Sequence, residues 1–413
     1  MKEFIFAEQI LSKVFENNFT FKKALKDTFP TMNEDRKYLP LSSSLSGCEL
    51  RHHILCSTLI ENLKLELTNK EKHFLYLAIS NVFFFKHFSK DDTIKFIKEQ
   101  LKEKYNESID HLLNFEGQVG DLLNIDRTSM EYISIRFNTP SWLIKMWNKH
   151  YGKSNTFKVL KSNCTPYRFE YRVDETKDIK LPDELTSGDV DNIYFCKGKG
   201  NLRNKSLFEN GAIFPLKGAY KILIDNNIDQ FSNEYCLYSN NDDSLIKELL
   251  VLSKGEKGIN VVVPDLSKRA EILRFIRINK IKNINLFMGN DEIAYKTGIS
   301  HPMDTIFVNA PSSSFDKIRL YPDYLLHFNK DELDQLIAKQ KQILKDLSLF
   351  VANDGKMVYM VDTLDKKETT NVINSFLKEN PNFELISEKQ IFPFEKENIT
   401  LYYAILHKKE QND

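Results

Sequence analysis

A chain of 413 residues has room for two or three domains, and its 58 Lys and Arg are matched by 58 Asp and Glu. That balance excludes a global cationic field for nucleic acid and leaves any such argument to local charge. The five cysteines, at 48, 56, 164, 196 and 236, form no CxxC pair, so neither a zinc ribbon nor a disulfide framework is expected, and a reducing cytosol is. The start, MKEFIFAEQILSKVF, lacks the long apolar core of a signal peptide, and no run of about 18 apolar residues predicts a transmembrane helix. The reading is a soluble, cytoplasmic, monomeric protein without a metal.

Residues 1–151 read as a helical domain. Apolar residues recur at helical spacing, first Phe6, Ile10, Leu11, Val14 and Phe15, then Leu55, Leu59, Ile60 and Leu63. Leu75, Ile79, Val82 and Phe83 follow, and later Ile94, Ile97 and Leu101. Ser89 ahead of Asp91 and Asp92 predicts a helix start with carboxylates in the first turn. Residues 1–150 hold 21 basic against 20 acidic side chains, so this part is neutral. Its aromatics, Phe83 to Phe85 included, are then expected in a core rather than on a base-stacking surface. Pro140 suits the first turn of a helix, with Thr139 or Asn138 as its cap. Trp142 and Trp147 are expected to pack at a domain junction.

Residues 152–225 read as a small α/β connector, with a strand expected at Asp189–Phe195. Residues 196–222 carry Lys197, Lys199, Arg203, Lys205, Lys217 and Lys221 against Glu209 alone, an excess of five positive charges. Glycines at 198, 200 and 211 let backbone approach a partner closely. Such a stretch suits phosphate contact, where Lys and Arg supply sequence-independent affinity. A solvated flexible loop has the same composition, and the residues leave both open.

Residues 226–410 alternate strand and helix signals, the pattern of a doubly wound α/β sheet. A buried strand is expected at Ile259–Val263, followed by an amphipathic helix with a basic face between Ser267 and Lys282. Another strand is expected at Ile284–Met288. The run Ile306, Phe307, Val308 then stops at Asn309-Ala-Pro311 and a Ser312 to Ser314 loop. Ligands of doubly wound sheets bind outside the carboxyl ends of strands, which makes this loop a candidate site, although turn chemistry alone also accounts for it. Arg319-Leu-Tyr-Pro322-Asp323 comes next. A helix bearing Leu333, Leu336, Ile337, Ile343 and Leu344 follows, then a turn at Asn353-Asp354-Gly355. Last comes a strand Met357–Val361 that ends in Asp362-Thr363.

This ordered set resembles the RNA 5-methylcytosine methyltransferases of the bacterial Sun/Fmu type, the 16S rRNA methyltransferase B family. There one strand ends in Asp-Ala-Pro-Cys-Ser, an Arg-x-x-Pro-Asp segment follows, and a second strand ends in Tyr-x-Thr-Cys-Ser. Here the signatures read Asn309-Ala-Pro-Ser312-Ser313 and Tyr359-Met-Val-Asp362-Thr363, so both cysteines are replaced. The segment from Phe137 to Gly152, with Pro140, Trp142, Trp147 and Tyr151, resembles the family's Pro-x-Trp-Leu segment at the same spacing. The helical domain resembles the NusB-like domain that precedes the catalytic part. The resemblance implies an all-α NusB-like domain (1–151), an RNA-contacting connector (152–225) with a further strand at Val159–Asn163, and a Rossmann-like methyltransferase domain (226–410).

It also implies S-adenosylmethionine as cofactor and small-subunit ribosomal RNA as partner, with a protein partner open to the NusB-like domain. The cofactor loop departs from the family. Where the family has Asp-x-Cys-Ala-Ala-Pro-Gly-Gly-Lys-Thr, this chain has Glu234 to Ser244 with no glycine. Asp265 and Asp291 stand near the positions whose acids hold ribose and adenine. Gly211 survives from a Gly-x-x-x-Val-Gln-Asp motif, but Leu216 and Lys217 replace its polar pair. The family's chemistry adds a cysteine thiolate to cytosine C6, which activates C5, and a base later removes the C5 proton so that the thiolate leaves. By resemblance Asp362 stands at the nucleophile's position and Ser312 at the assisting cysteine's, while Asn309 replaces the aspartate that contacts the base. A carboxylate is a weak carbon nucleophile, and an unactivated serine is scarcely ionised at neutral pH. The expectation is an RNA-binding protein contacting rRNA through Lys197, Lys199, Arg203, Lys205, Lys217 and Arg319, with C5 transfer lost. The alternative is an active methyltransferase with altered residues, in which Asp362 serves an acceptor that needs no covalent adduct. A third reading is a protein-interaction scaffold that binds no RNA.

Overall fold

A computed structural model of the chain describes residues 1–177, 179–196, 202, 207–208, 211–228, 234–240, 243–253, 257–264, 266–288 and 298–410. They form two compact units, Met1–Thr165 with Lys317–Asn329, and Pro166–Asp316 with Lys330–Asp413. Residues 152–165 thus belong with the helices, and residues 166–225 share a unit with the large sheet.

The first unit is all helical. It comprises α1 (Lys2–Phe15), α2 (Phe21–Thr28), α3 (Leu39–Leu50), α4 (His53–Leu63), α5 (Asn69–Ser80), α6 (Lys90–Gln100), α7 (Asn106–Leu113), α8 (Met130–Arg136) and α9 (Ser141–Asn163). The apolar stripe of α1, Phe4, Ala7, Ile10, Leu11 and Val14, is buried in one core with residues of α3, α4, α5 and α6. Ser89 caps α6 as its sequence predicts, its hydroxyl accepting from Asp92 N at 3.1 Å. Phe83, Phe84 and Phe85 continue from α5 in a wide π turn and pack against this core.

Two local expectations are corrected. Pro140 is itself the N-cap of α9, and neither neighbour caps the helix. Asn138, at φ 45°, instead accepts from Ile54 N at 2.9 Å and donates to Leu50 O at 2.8 Å, which ties α9 to α3 and α4. The strand expected at Val159–Asn163 is helix, because α9 kinks at Gly152 (φ 80°) and then resumes. Thr156, Val159 and Leu160 are buried at helical spacing, and no proline or glycine interrupts residues 153–163.

The segment Lys317–Asn329 is knitted into this unit. Arg319 Nη2 donates to Thr165 Oγ1 at 2.9 Å, and Asp323 Oδ2 accepts from Phe21 N at 2.7 Å. His327 meets Asn18 at 2.9 Å, and Phe328 stacks on Trp142 with centroids 5.8 Å apart. Trp147 is fully buried.

The second unit has two sheets. The smaller is antiparallel, order β2-β3-β1-β4, from β1 (Glu170–Val173), β2 (Leu185–Ser187), β3 (Ile193–Cys196) and β4 (Ile213–Pro215). The strand expected from Asp189 therefore begins four residues later; its start is taken up by a turn in which Gly188 N donates to Ile193 O at 2.7 Å. Helix α10 (Gly218–Asp225) leads to the larger sheet. There β5 (Glu234–Ser239), β6 (Gly258–Val263), β7 (Ile284–Met288), β8 (Met303–Asn309) and β9 (Val351–Val361) run parallel. Antiparallel β10 (Phe383–Ile391) and β11 (Leu401–Lys408) complete it, in the order β10-β11-β9-β8-β5-β6-β7. Helices α11 (Asp243–Ser253) and α12 (Arg269–Ile278) join α10 on one face. Helices α13 (Leu333–Ser348) and α14 (Thr370–Glu379) cover the other. Strands Val-, Ile- and Phe-rich on both faces suit this double covering. The Asn353-Asp354-Gly355 turn lies inside β9 as a bulge: Met303 pairs with Val351 but Thr305 with Lys356.

Candidate functional site

The chain builds outward from β5 to β7, then crosses back to place β8 on the other side of β5. That reversal is a topological switch point, and the crevice outside the carboxyl ends of β5 and β8 is where such sheets take ligands. Ser239 pairs with Asn309 across it, and Asn240 N donates to Asn309 O at 3.0 Å. Asn309 is buried, and Ala310 N donates to Met360 O at 3.2 Å, so β8 and β9 end side by side. Asn309, Ser312 and Asp362 therefore gather at adjacent strand ends.

The side chains of Ser312 and Asp362 are already engaged. The Ser312 hydroxyl lies 3.3 Å from the Ser314 hydroxyl and accepts from Ser314 N at 3.2 Å, with Ser314 held at φ 49°. Asp362 is half-buried, and its carboxylate accepts a hydrogen bond from the phenol of Tyr220 on α10. Cys236, in β5, is fully buried with its thiol pushed up to about 12 by desolvation, the reverse of an activated nucleophile.

The residue that organises these loops is one that sequence reasoning missed. Glu368 is fully buried. Ser313 N donates to its Oε2 at 2.7 Å, Ser313 Oγ to Oε1 at 2.5 Å, and Thr363 Oγ1 to Oε1 at 2.7 Å. Gln340 Nε2 on α13 donates both to Glu368 Oε2 at 3.1 Å and to Pro311 O at 2.8 Å. One carboxylate thus fastens the loop after β8 to the loop after β9 through Ser313 and Thr363. Burial raises its pKa, and the hydroxyls and amide of Ser313 and Thr363 pull the other way without cancelling that rise. A sequence signal existed, since Ser313 and Thr363 each trail a signature by one residue. Their common partner could not be read from spacing.

Around the cofactor loop, Asp243 opens α11 and pairs with Lys247 at 2.6 Å. The helix start that would meet a carboxylate-bearing ligand already holds an anion, and the described loop residues include no glycine. These residues do not fit S-adenosylmethionine held in the family's manner. Asn241, Asp242, Asp265 and Asp291 lie outside the described residues, as do Lys197, Lys199, Arg203 and Lys205. Lys217 precedes α10 with its ammonium 4.1 Å from the Tyr167 ring centroid. Arg319 is 5% exposed, and its guanidinium holds the 317–329 segment within the helical unit through Thr165. Among the described residues no group of three or more His, Cys, Asp or Glu could hold a metal ion, and no helix is long and apolar enough to cross a membrane.

Residues 261–411 match the family model for the 16S rRNA methyltransferase RsmB/F. Over that stretch the chain is similar to the RsmB/F methyltransferases. The probable ribosomal RNA small subunit methyltransferase B of Bacillus subtilis is 26% identical over 261 residues, 59% of this chain. The corresponding protein of Shewanella oneidensis is 22% identical over 66% of the chain and 67% of its own length. The match spans 57% of the length of the Bacillus relative, and 27% of one from Xanthomonas campestris. The crystal structure of PH0851 has the same fold, with a TM-score of 0.72 at 17% identity over 98% of this chain and 97% of its own. A methyltransferase homolog from Pyrococcus horikoshii superimposes at TM-score 0.56 and 16% identity, over 68% of this chain and 99% of its own. The chain therefore shares with these structures a helical amino-terminal region and a Rossmann-like sheet.

Proposed function

We propose that this chain is an RNA-binding protein of the RsmB/F lineage that acts on small-subunit ribosomal RNA and has given up methyl transfer to cytosine C5. The observation that carries the reading is Asp362. At the position of the family's nucleophile stands a carboxylate already bound by the Tyr220 phenol. It cannot be both a carbon nucleophile and a readily displaced leaving group, the two properties that a thiolate supplies. Ser312, at the assisting position, has a hydroxyl satisfied by Ser314 and no histidine beside it in sequence. The paired Asp243 supports weak binding of the cofactor, S-adenosylmethionine, that the family implies. The printed names of the Bacillus and Shewanella relatives support ribosomal RNA as the partner class. The cytoplasm follows from that partner.

Calorimetric titration of the full chain with S-adenosylmethionine is the test, with small-subunit rRNA fragments in parallel. The expected outcome is no heat from the cofactor and salt-sensitive binding of RNA. A single-site cofactor isotherm would overturn the loss of methyl transfer and favour a nitrogen or oxygen acceptor. Absence of both signals from folded protein would overturn the RNA reading.

A further inference from the structure

The switch-point site leaves unused a cluster of basic side chains beside the large sheet. Arg269, Arg274 and Arg277 on α12, with Lys280 and Lys282 just after it, are all exposed. The helix turns Ile272 and Phe275 into the core, so Arg274 and Arg277 lie on the opposite face and Arg269 on its flank. Glu271 is the one acid in this stretch, and it already pairs with Lys247 at 2.7 Å. Among the described residues, no carboxylate forms an ion pair with Arg269, Arg277, Lys280 or Lys282.

A solvated face would not need this arrangement. The chain as a whole is neutral, with 58 charges of each sign, so Arg269, Arg277, Lys280 and Lys282 together are a local departure. Like charges this close, Arg277 and Lys280 among them, repel one another. Lys280 and Lys282 gain from the negative end of the helix dipole, but Arg269 opens the helix, where the dipole disfavours a cation. An external polyanion resolves these conflicts together. Arg269 and Arg277 stand eight residues apart, about 12 Å along the axis, a span suited to more than one phosphate of a backbone.

The geometry points to the exposed face of α12 as a phosphate-backbone contact for RNA, separate from the strand-end site. It rests on the RNA reading above. The partner is RNA rather than an acidic protein segment because the cations face solvent individually. The apolar side chains among them, Leu273 at 40% and Ile278 at 38% exposure, are scattered and form no groove. The surface fixes the RNA without reading its sequence.

The test uses the full chain and its R269E/R277E/K280E/K282E variant, with a fluorescently labelled RNA stem–loop followed by anisotropy over a salt series. With about 0.7 counterion released per contact to a single strand, loss of four contacts makes the log–log salt slope shallower by about 3. Low-salt affinity is expected to fall tenfold or more, and R269Q/R277Q to give about half the slope change. An unchanged slope and affinity in a variant with wild-type circular dichroism would overturn the surface while leaving RNA binding intact. Equal binding of labelled poly-glutamate and RNA by the wild type would overturn it in favour of an acidic protein. No RNA binding by the wild type would overturn the underlying reading instead.

Discussion

Glu368 carries more of the site's order than either residue at a cysteine position. Four donors from three elements converge on a carboxylate with no solvent contact. Truncating it leaves two hydroxyls and two amides facing an apolar hole, and a buried donor left unsatisfied costs about 1–3 kcal/mol each. Glu368→Ala is expected to destabilise the second unit by at least about 3 kcal/mol, read as a shift in the urea midpoint; a loss below about 1 kcal/mol would show that the loops hold each other without it. The raised pKa also fixes a sign. A carboxyl whose pKa is higher in the folded state binds its proton more tightly there. Its contribution is therefore full below the unfolded value near 4.5 and is lost as pH rises through the folded value. The difference in unfolding free energy between wild type and Glu368→Gln should shift against the wild type from pH 4.5 upward.

At the scale of elements, the antiparallel end of the large sheet is fastened by His407 of β11. Its Nε2 lies 2.7 Å from Asp354 in the β9 bulge and its Nδ1 3.1 Å from Glu384 on β10. Asp354 is the larger cause of a raised imidazole pKa, with Glu384 adding to it and partial burial opposing. A base raised in the fold contributes stability that is complete below its unfolded pKa near 6.5 and disappears as pH rises through the folded value. His407→Gln is therefore expected to lower the melting temperature slightly at pH 6 and not at pH 9, since exposed pairs are screened. Equal shifts at both pH values would assign the effect to packing. The bulge that presents Asp354 was legible as Asn-Asp-Gly turn chemistry, but as a break between elements. Only the pairing of Met303 with Val351 reveals it inside a continuous strand.

On the scale of the molecule, the chain leaves the large sheet after Asp316, contributes residues 317–329 to the helical unit, and returns. Asp323, 4% exposed, accepts from Phe21 N at the start of α2 and faces His327 at 3.3 Å. Asp323→Ala is expected to cost the helical unit about 1–3 kcal/mol, visible as earlier loss of Trp142 and Trp147 fluorescence signal on denaturation. Retention of the wild-type midpoint would mean that the Phe328 stack and the Arg319 contacts suffice. In the sequence, Arg319 was expected to contact RNA and Asp323 only closed the Arg-x-x-Pro-Asp segment. Their partners, Thr165 and Phe21, lie 154 and 302 positions away, a separation that no local pattern encodes.

Sequence alone determined what repeats locally. The helical amino-terminal region came from apolar residues at period 3.6, the α6 cap from Ser89 and its carboxylates, and the parallel strands from short Val- and Ile-rich runs. The strand ends at Asn309-Ala-Pro311 and before Asp362-Thr363 were legible as well, because turn chemistry there depends on adjacent residues. Tertiary structure decided the rest. It showed that Val159–Asn163 is helix, since burial on one face of α9 outweighs a short β-like run. It also decided which partner each polar group found: Tyr220 for Asp362, Glu368 for Ser313 and Thr363, Thr165 for Arg319. Those pairings depend on which strand ends and loops the fold brings within about 3 Å, and hydrogen bonds of that length carry no trace in the spacing of the chain.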